Sequence, residues 1–272
     1  MKIEVGNINV EEILFSGSCF RAIKEEDGSI TNILSDRVIN LKQNGKYIDV
    51  LSSNYDNLDS VIREYFDLNR DYEKINSELI SNNKDLKEMI DKCLDYRILN
   101  QDSFEMCVSY IISQNNNVKR ISKSINLLCE KYGKEIIFNK KKYYLFPRYD
   151  DLKNLSIDDF RSLGVGFRDK YLVDFMSKYP LLKEIDNLST ENALAVLMNI
   201  KGIGLKVASC ILLFGYKRLD IFPIDTWVKH YISDNYKIKN DVKSIEKFAR
   251  DNFKGYSGLV IQYMFHSKRN LK

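Results

Sequence analysis

Proline is scarce in this chain, with three among 272 residues. No Pro-rich linker marks a domain division, so a boundary has to be placed from a change in hydrophobic periodicity. Cysteine is present but never closely paired. Cys19, Cys93, Cys107, Cys129 and Cys210 lack the short spacing that holds zinc or an iron-sulfur cluster, so reduced thiols, no metal and no cofactor are expected. Histidine is rarer still, and His230 and His266 fit solvated or core-satisfied imidazoles better than a ligand pair. The N-terminus has no apolar run long enough for a signal peptide, and nothing approaches a membrane span. A cytosolic (cytoplasmic) protein without membrane association is expected.

What is present is charge of both signs with a small basic excess, a net +4. That balance suits a polyanionic partner without demanding one. The length allows a sizeable core, and two domains of ordinary size are expected. In the first stretch, EILFSGSCFRAI, SITNILSDRVINLKQ and GKYIDVLSS mix β-branched and aromatic residues, and Asp27-Gly28 and Asn44-Gly45 break them. They read as an antiparallel meander with hairpin turns. From Leu58 the spacing becomes helical, in DSVIREYFDL and DLKEMIDKCLDY. SFEMCVSYIISQ puts Phe104, Cys107, Val108, Ile111 and Ile112 on one core-facing stripe. Further helices are predicted at about 117–132, 157–162, 168–178, 190–198, 205–216, 225–235, 241–252 and 256–267. The fold class is therefore α+β. Residues 1–98 form an N-terminal antiparallel β domain with flanking helices, and residues 99–272 a larger all-helical domain. The Lys140–Lys142 run beside Tyr143 and Tyr144 reads as a solvated loop.

The densest chemistry lies in Asn199 to Asp225, reading NIKGIGLKVASCILLFGYKRLDIFPID. Gly202 and Gly204 flank Ile203 in a tight turn where backbone N–H groups can approach a phosphate. Lys206 opens an apolar helix, and Pro223 fixes the chain just before Asp225, which is placed to cap the next helix. Read singly, Lys206 is a surface lysine at a helix start and Asp225 a plain N-cap. Together they bring an amine and a carboxylate above a phosphate-binding backbone.

This segment resembles the helix-hairpin-helix superfamily of DNA base-excision glycosylases, and within it the 8-oxoguanine DNA glycosylases. FSGSCFR (Phe15 to Arg21), ISQNNNVKR (Ile112 to Arg120), GVGFRDKY (Gly164 to Tyr171) and GYSGLVIQYMF (Gly255 to Phe265) match family segments in the same order, so the resemblance covers nearly the whole chain. It implies a TBP-like β domain ahead of a helix-hairpin-helix domain, and a monomeric, nucleoid-associated enzyme acting on double-stranded DNA that contains 8-oxoguanine. The absence of cysteine after Cys210 points away from the branches that carry a cluster loop there.

Carried over residue by residue, the resemblance makes Lys206 the nucleophile. It attacks C1′ of the damaged nucleotide, expels the base and leaves an imine through which β-elimination can nick the strand. Asp225 stabilises the positive charge that develops on the sugar. A free lysine titrates at about 10.4, so this role predicts a largely desolvated Lys206. Cys210, one helical turn on from Lys206, and Phe265 sandwich the extruded base, with Pro223 in the same base-binding set. The Gly17 carbonyl accepts the N7 hydrogen that distinguishes 8-oxoguanine from guanine. On the DNA side, Asn115 fills the gap left by the flipped nucleotide, and Arg120 and Arg168 read the orphaned cytosine. Phe167 stands in for the family's wedge tyrosine, and Gly202 and Gly204 hold the backbone. Trp227 replaces a phosphate-contacting histidine, and Lys201 replaces a proline. The family's base-reading glutamine aligns with Ile261, leaving Gln262 about 100° around the helix.

Two other readings remain. An alkylpurine DNA glycosylase shares the build and the aspartate but does not use the lysine, and a non-catalytic helix-hairpin-helix damage-binding protein uses the hairpin only to hold DNA.

Overall fold

The computed structural model describes residues 1–269. Its N-terminal sheet contains β1 (Lys2–Glu4), β2 (Ile23–Lys24), β3 (Ile30–Ile33), β4 (Val38–Asn44) and β5 (Tyr47–Ser52), in the order β1-β5-β4-β3-β2. All pairings are antiparallel. Both predicted hairpin turns form. Asp27 Oδ1 accepts from the Ser29 backbone N–H at 3.0 Å and from its hydroxyl at 2.6 Å, a local bond that competes with extended structure and turns the chain. Asn44 pairs with Tyr47, so Gly45 and Lys46 alone close the second turn.

The first predicted strand forms a helix instead. Asn9 Oδ1 accepts from Glu12 N at 3.1 Å, and Val10, Ile13 and Leu14 are buried at helical spacing in α1 (Val10–Leu14). Residues 15–22 then run as a loop, and only Ile23–Lys24 of this segment joins the sheet. Behind the sheet come α2 (Leu58–Tyr65), α3 (Tyr72–Asn82) and α4 (Lys87–Asp91).

The second region contains α5 (Ser103–Ser113), α6 (Val118–Tyr132), α7 (Tyr149–Leu152), α8 (Ile157–Arg161), α9 (Asp169–Lys178) and α10 (Thr190–Met198). It continues with α11 (Leu205–Gly215), α12 (Thr226–Tyr236), α13 (Val242–Phe253) and α14 (Ser257–Arg269). Side-chain caps set several starts, with Asp102, Asn117, Ser189, Asp225 and Asp241 each accepting from a backbone N–H three residues on. The helical region also holds a hairpin, β6 (Glu135–Phe138) and β7 (Lys141–Tyr144). Asn139 and Lys140 both have positive φ and join strands paired Phe138 to Lys141, the two-residue geometry that suits strand twist. The lysine run predicted as a loop is therefore partly strand. Lys141 and Lys142 point outward to Glu25 and Glu135, at 2.8 and 3.1 Å, while Tyr143 packs inward with Phe138.

One apolar core runs from Ile3 to Met264. Helix α11 crosses it: Val207 to Gly215 are buried, and Lys206 is exposed. It packs along α5, while α13 and α14 return onto α3 and α4. Among the described residues, no helix is long and apolar enough to cross a membrane.

Candidate active site

Gly17, Lys206, Cys210, Pro223, Asp225 and Phe265 line one cavity of about 290 Å³. They come from four places in the chain: the loop after α1, the head of α11, the segment leading into α12, and α14. Ser16 and Ser18 flank Gly17 on the wall, and Tyr110, Phe214 and Gln262 complete it. The loop after α1 is tied down on both sides of Gly17. Ser16 and Ser18 hydroxyls lie 3.1 Å apart, Gln101 Nε2 donates to the Ser18 carbonyl at 3.1 Å, and the Tyr65 hydroxyl donates to Cys19 Sγ at 3.7 Å.

Lys206 sits at the exposed end of α11, with Nζ 5.9 Å from the centre of the Tyr110 ring. The expected desolvation is absent from the free protein, because the helix is buried only from Val207 onward. Next to it, burial pushes the Cys210 thiol up, against a downward pull from the Lys206 ammonium. The thiol stays protonated and presents a soft, uncharged surface. Asp225 is both a cap and a cavity residue. Its Oδ1 accepts from Val228 N at 2.8 Å, which fixes the carboxylate while leaving it on the cavity wall.

Phe265 stacks on Trp227, centroids 4.4 Å apart at 26°. Trp227 therefore backs a wall of the cavity. Tyr110 and Phe214 stack at 5.7 Å and 8° on another side. On α14 the two residues expected to compete for the base reader's place part ways. Ile261 is fully buried in the core, whereas Gln262 lines the cavity, with its Oε1 3.4 Å from the Tyr96 hydroxyl. Tyr110 and Phe214 are not among the residues expected from the sequence, and Gln262 is expected only as the neighbour of Ile261. Phe214 was findable, since Lys206, Cys210 and Phe214 repeat every four residues, and Gln262 stands three before Phe265. Tyr110 had no such signal, because it lies off the apolar stripe of its own helix.

The DNA-side candidates gather around the loop between α5 and α6. Asn115 is exposed with φ +47°, Arg120 is exposed on α6, and Phe167 is 53% exposed. Arg168 is buried. Its Nε and Nη2 donate to the Gln114 carbonyl, Nη1 to Val165 at 2.9 Å, and Nη2 also to Asn115 at 3.0 Å. In this conformation its guanidinium holds the Asn115 loop, and reading a cytosine would require breaking those bonds. Burial and the nearby charge of Arg120 lower its pKa from the ordinary arginine value.

The hairpin is anchored to α9. Gly202 has φ +84°, and a Cβ there would lie 2.3 Å from Tyr171 Cδ2, so both conformation and space require glycine. Lys201 N and Lys178 Nζ both donate to Asp174 Oδ2, at 2.6 and 2.9 Å. Burial raises the Asp174 pKa, but these two donors outweigh it and hold the carboxyl below the usual range. Tyr171 in turn meets Phe167 edge-on at 5.9 Å. Hairpin, wedge candidate and Asn115 loop thus form one connected surface, with Gly204 at the N-cap of α11.

Away from the cavity, Glu12, Asp95 and His266 bring potential ligand atoms within 4.8 Å of one another. His266 Nε2 lies 3.1 Å from Glu12 and 3.8 Å from Asp95, a buried imidazole paired with carboxylates.

Residues 1–107 match the N-terminal domain of 8-oxoguanine DNA glycosylase, and residues 108–254 match the HhH-GPD superfamily of base excision DNA repair proteins. The 8-oxoguanine glycosylase/lyase of Clostridium acetobutylicum, in its apo-form, is 36% identical, with 97% of this chain and 94% of that chain covered and a TM-score of 0.90. A structure of MBOgg1 in complex with a low-affinity DNA ligand is also 36% identical, covering 99% and 95%, with a TM-score of 0.92. A Methanothermobacter thermautotrophicus protein named "Probable N-glycosylase/DNA lyase" is 28% identical over 82% of this chain and 78% of its own length.

Proposed function

The chain belongs to the HhH-GPD superfamily of base excision DNA repair proteins and is a DNA glycosylase with lyase activity; we propose that it releases 8-oxoguanine paired with cytosine, through an imine on Lys206. The convergence of Lys206, Asp225, Gly17 and the Cys210–Phe265 pair on one cavity carries this reading. The enzyme acts as a monomer, with residues 1–98 and 99–272 as its two domains.

The lesion enters the cavity as an extruded nucleotide. Its base lies between Cys210 and Phe265, and its N7 hydrogen meets the Gly17 carbonyl. Gln262 takes the Watson–Crick edge. The nucleotide closes the open side of Lys206, which supplies the desolvation that the free protein lacks. The Lys206 amine then attacks C1′, and the bond from C1′ to the base breaks, with its electron pair leaving on the base. Asp225 faces the positive charge that develops on the sugar in between. Loss of a proton from the new C–N bond and opening of the sugar give the imine, and β-elimination breaks the C3′–O bond of the strand. On the far strand, Asn115 and Phe167 occupy the gap and Arg120 reads the cytosine. Arg168 joins that reading only after releasing the loop carbonyls.

Borohydride reduction during turnover tests the whole sequence. A covalent adduct is expected on a duplex with 8-oxoguanine opposite cytosine, and Lys206→Gln should lose both the adduct and base release while still binding the duplex. Base release by the unmutated protein without an adduct would support the alkylpurine-type reading. Binding without release or adduct would support a damage sensor.

A further inference from the structure

Arg21 and Glu105 meet across the seam between the Gly17 loop and α5, and the contact is incomplete. Arg21 is 4% exposed, and its Nη2 donates to the Tyr144 carbonyl. Its Nε and Nη1 are buried with no hydrogen-bond partner. The approach of Glu105 to this guanidinium, Oε2 to Nη1, is 4.0 Å. Closing by about 1 Å would convert it to a charge-assisted hydrogen bond. Orphaned donors on a buried cation make that closure favourable when the carboxylate is ionised. Both residues line a cavity of about 340 Å³, together with Cys19 and Tyr65, so there is room to move. The two residues also sit close in sequence to the base cavity, Arg21 following Gly17 in the same loop and Glu105 preceding Tyr110 on the same helix.

We propose that Glu105 is a positioning residue for lesion recognition: by closing on Arg21 it draws the loop against α5 and sets the Gly17 carbonyl over the base. The role rests on the 8-oxoguanine reading above. Burial pushes the Glu105 carboxyl up to about 7, against the pull of Arg21 and with Asp102 adding to the rise. Three further groups that feel its charge are a tyrosine and two thiols. Burial raises Cys19 on the loop, Tyr65 on α2 and Cys129 on α6, the last to about 12. Lys217 and Glu64, on the outer wall of the cavity, pair with each other. Glu105 therefore gains its charge through the neutral range, and the loop tightens as it does.

The test compares excision of 8-oxoguanine opposite cytosine with cleavage of a preformed abasic site. Both use the same lysine, but only the first uses the Gly17 loop. The ratio of the two kcat/KM values is expected to rise roughly tenfold as pH passes through about 7, the worth of one well-placed hydrogen bond. Glu105→Gln, of the same shape but without charge, should hold the ratio at its low value at every pH and leave abasic cleavage unchanged. A flat ratio in the unmutated protein, or an equal rise in Glu105→Gln, overturns the proposal. Abasic cleavage without 8-oxoguanine release at any pH overturns the substrate reading and the positioning role with it.

Discussion

The cavity around Lys206 and the loop between α5 and α6 are built on different principles. Much of the cavity wall comes from α11 and α14, anchored in the core, with Tyr110 stacked on Phe214 and Phe265 stacked on Trp227. Across the seam, Asn115 and Arg120 are exposed, and the order of the loop depends on the Arg168 guanidinium bonding to carbonyls. Rigid burial suits chemistry that needs fixed distances, while the loop is held by bonds to backbone carbonyls that can be exchanged.

The largest effect that can be set against this contrast, after removal of the lysine, is expected at Asp225. Asp225→Asn keeps an oxygen for Val228 N and so keeps the cap, but it removes the charge. Excision should fall by about 10²–10³ with the melting temperature nearly unmoved. Asp225→Ala should lose the cap as well, at about 1 kcal/mol of stability. Single-turnover rates and thermal melts on the two variants separate the roles.

A smaller effect is expected on α14. Gln262→Ala should lower kcat/KM for 8-oxoguanine about tenfold. Ile261→Gln should not improve it, and should destabilise the fold by about 1–3 kcal/mol, because it buries an amide without partners. An Ile261→Gln protein with better excision would mean that α14 turns when DNA binds.

On the loop, Arg120→Ala should reduce the preference for cytosine over adenine several-fold without changing stability. Arg168→Ala should cost about 1.5–3 kcal/mol in a denaturation experiment, since it strips charged donors from the Gln114, Asn115 and Val165 carbonyls. Equal melting of the two variants would remove the clamp from Arg168.

The smallest effect is on melting behaviour near Glu105. Its raised pKa means that the folded protein holds a proton that the unfolded chain releases. The stability this confers is full below the ordinary carboxylate range and is lost as pH rises through about 7. Glu105→Gln should therefore melt a few degrees higher than the unmutated protein above neutral pH and show no advantage under acidic conditions.

The predicted helix ranges in the second region agree with the structure to within two residues, because caps and periodicity are local signals that packing reinforced. The segment Val10 to Leu14 was misread for the same kind of reason. Its composition suits a strand, but Asn9 capped it and the apolar spacing at Val10, Ile13 and Leu14 matched a helical face. The β6–β7 hairpin was hidden by its lysines, since an edge ribbon keeps alternate residues in water.

The sequence by itself determined which chemistry was available: the Gly202–Gly204 hairpin, Lys206, the Asp225 cap and the segments that align with the glycosylases. Each rests on neighbours in the chain or on motif order. Only the tertiary structure decided which face of α14 lines the cavity, that Arg168 turns inward, that Lys206 is exposed, and that Arg21 faces Glu105. Those outcomes depend on helix rotation and burial between segments tens to hundreds of residues apart. At such separations a one-position shift on a helix turns a side chain by about 100°, from the core to the cavity.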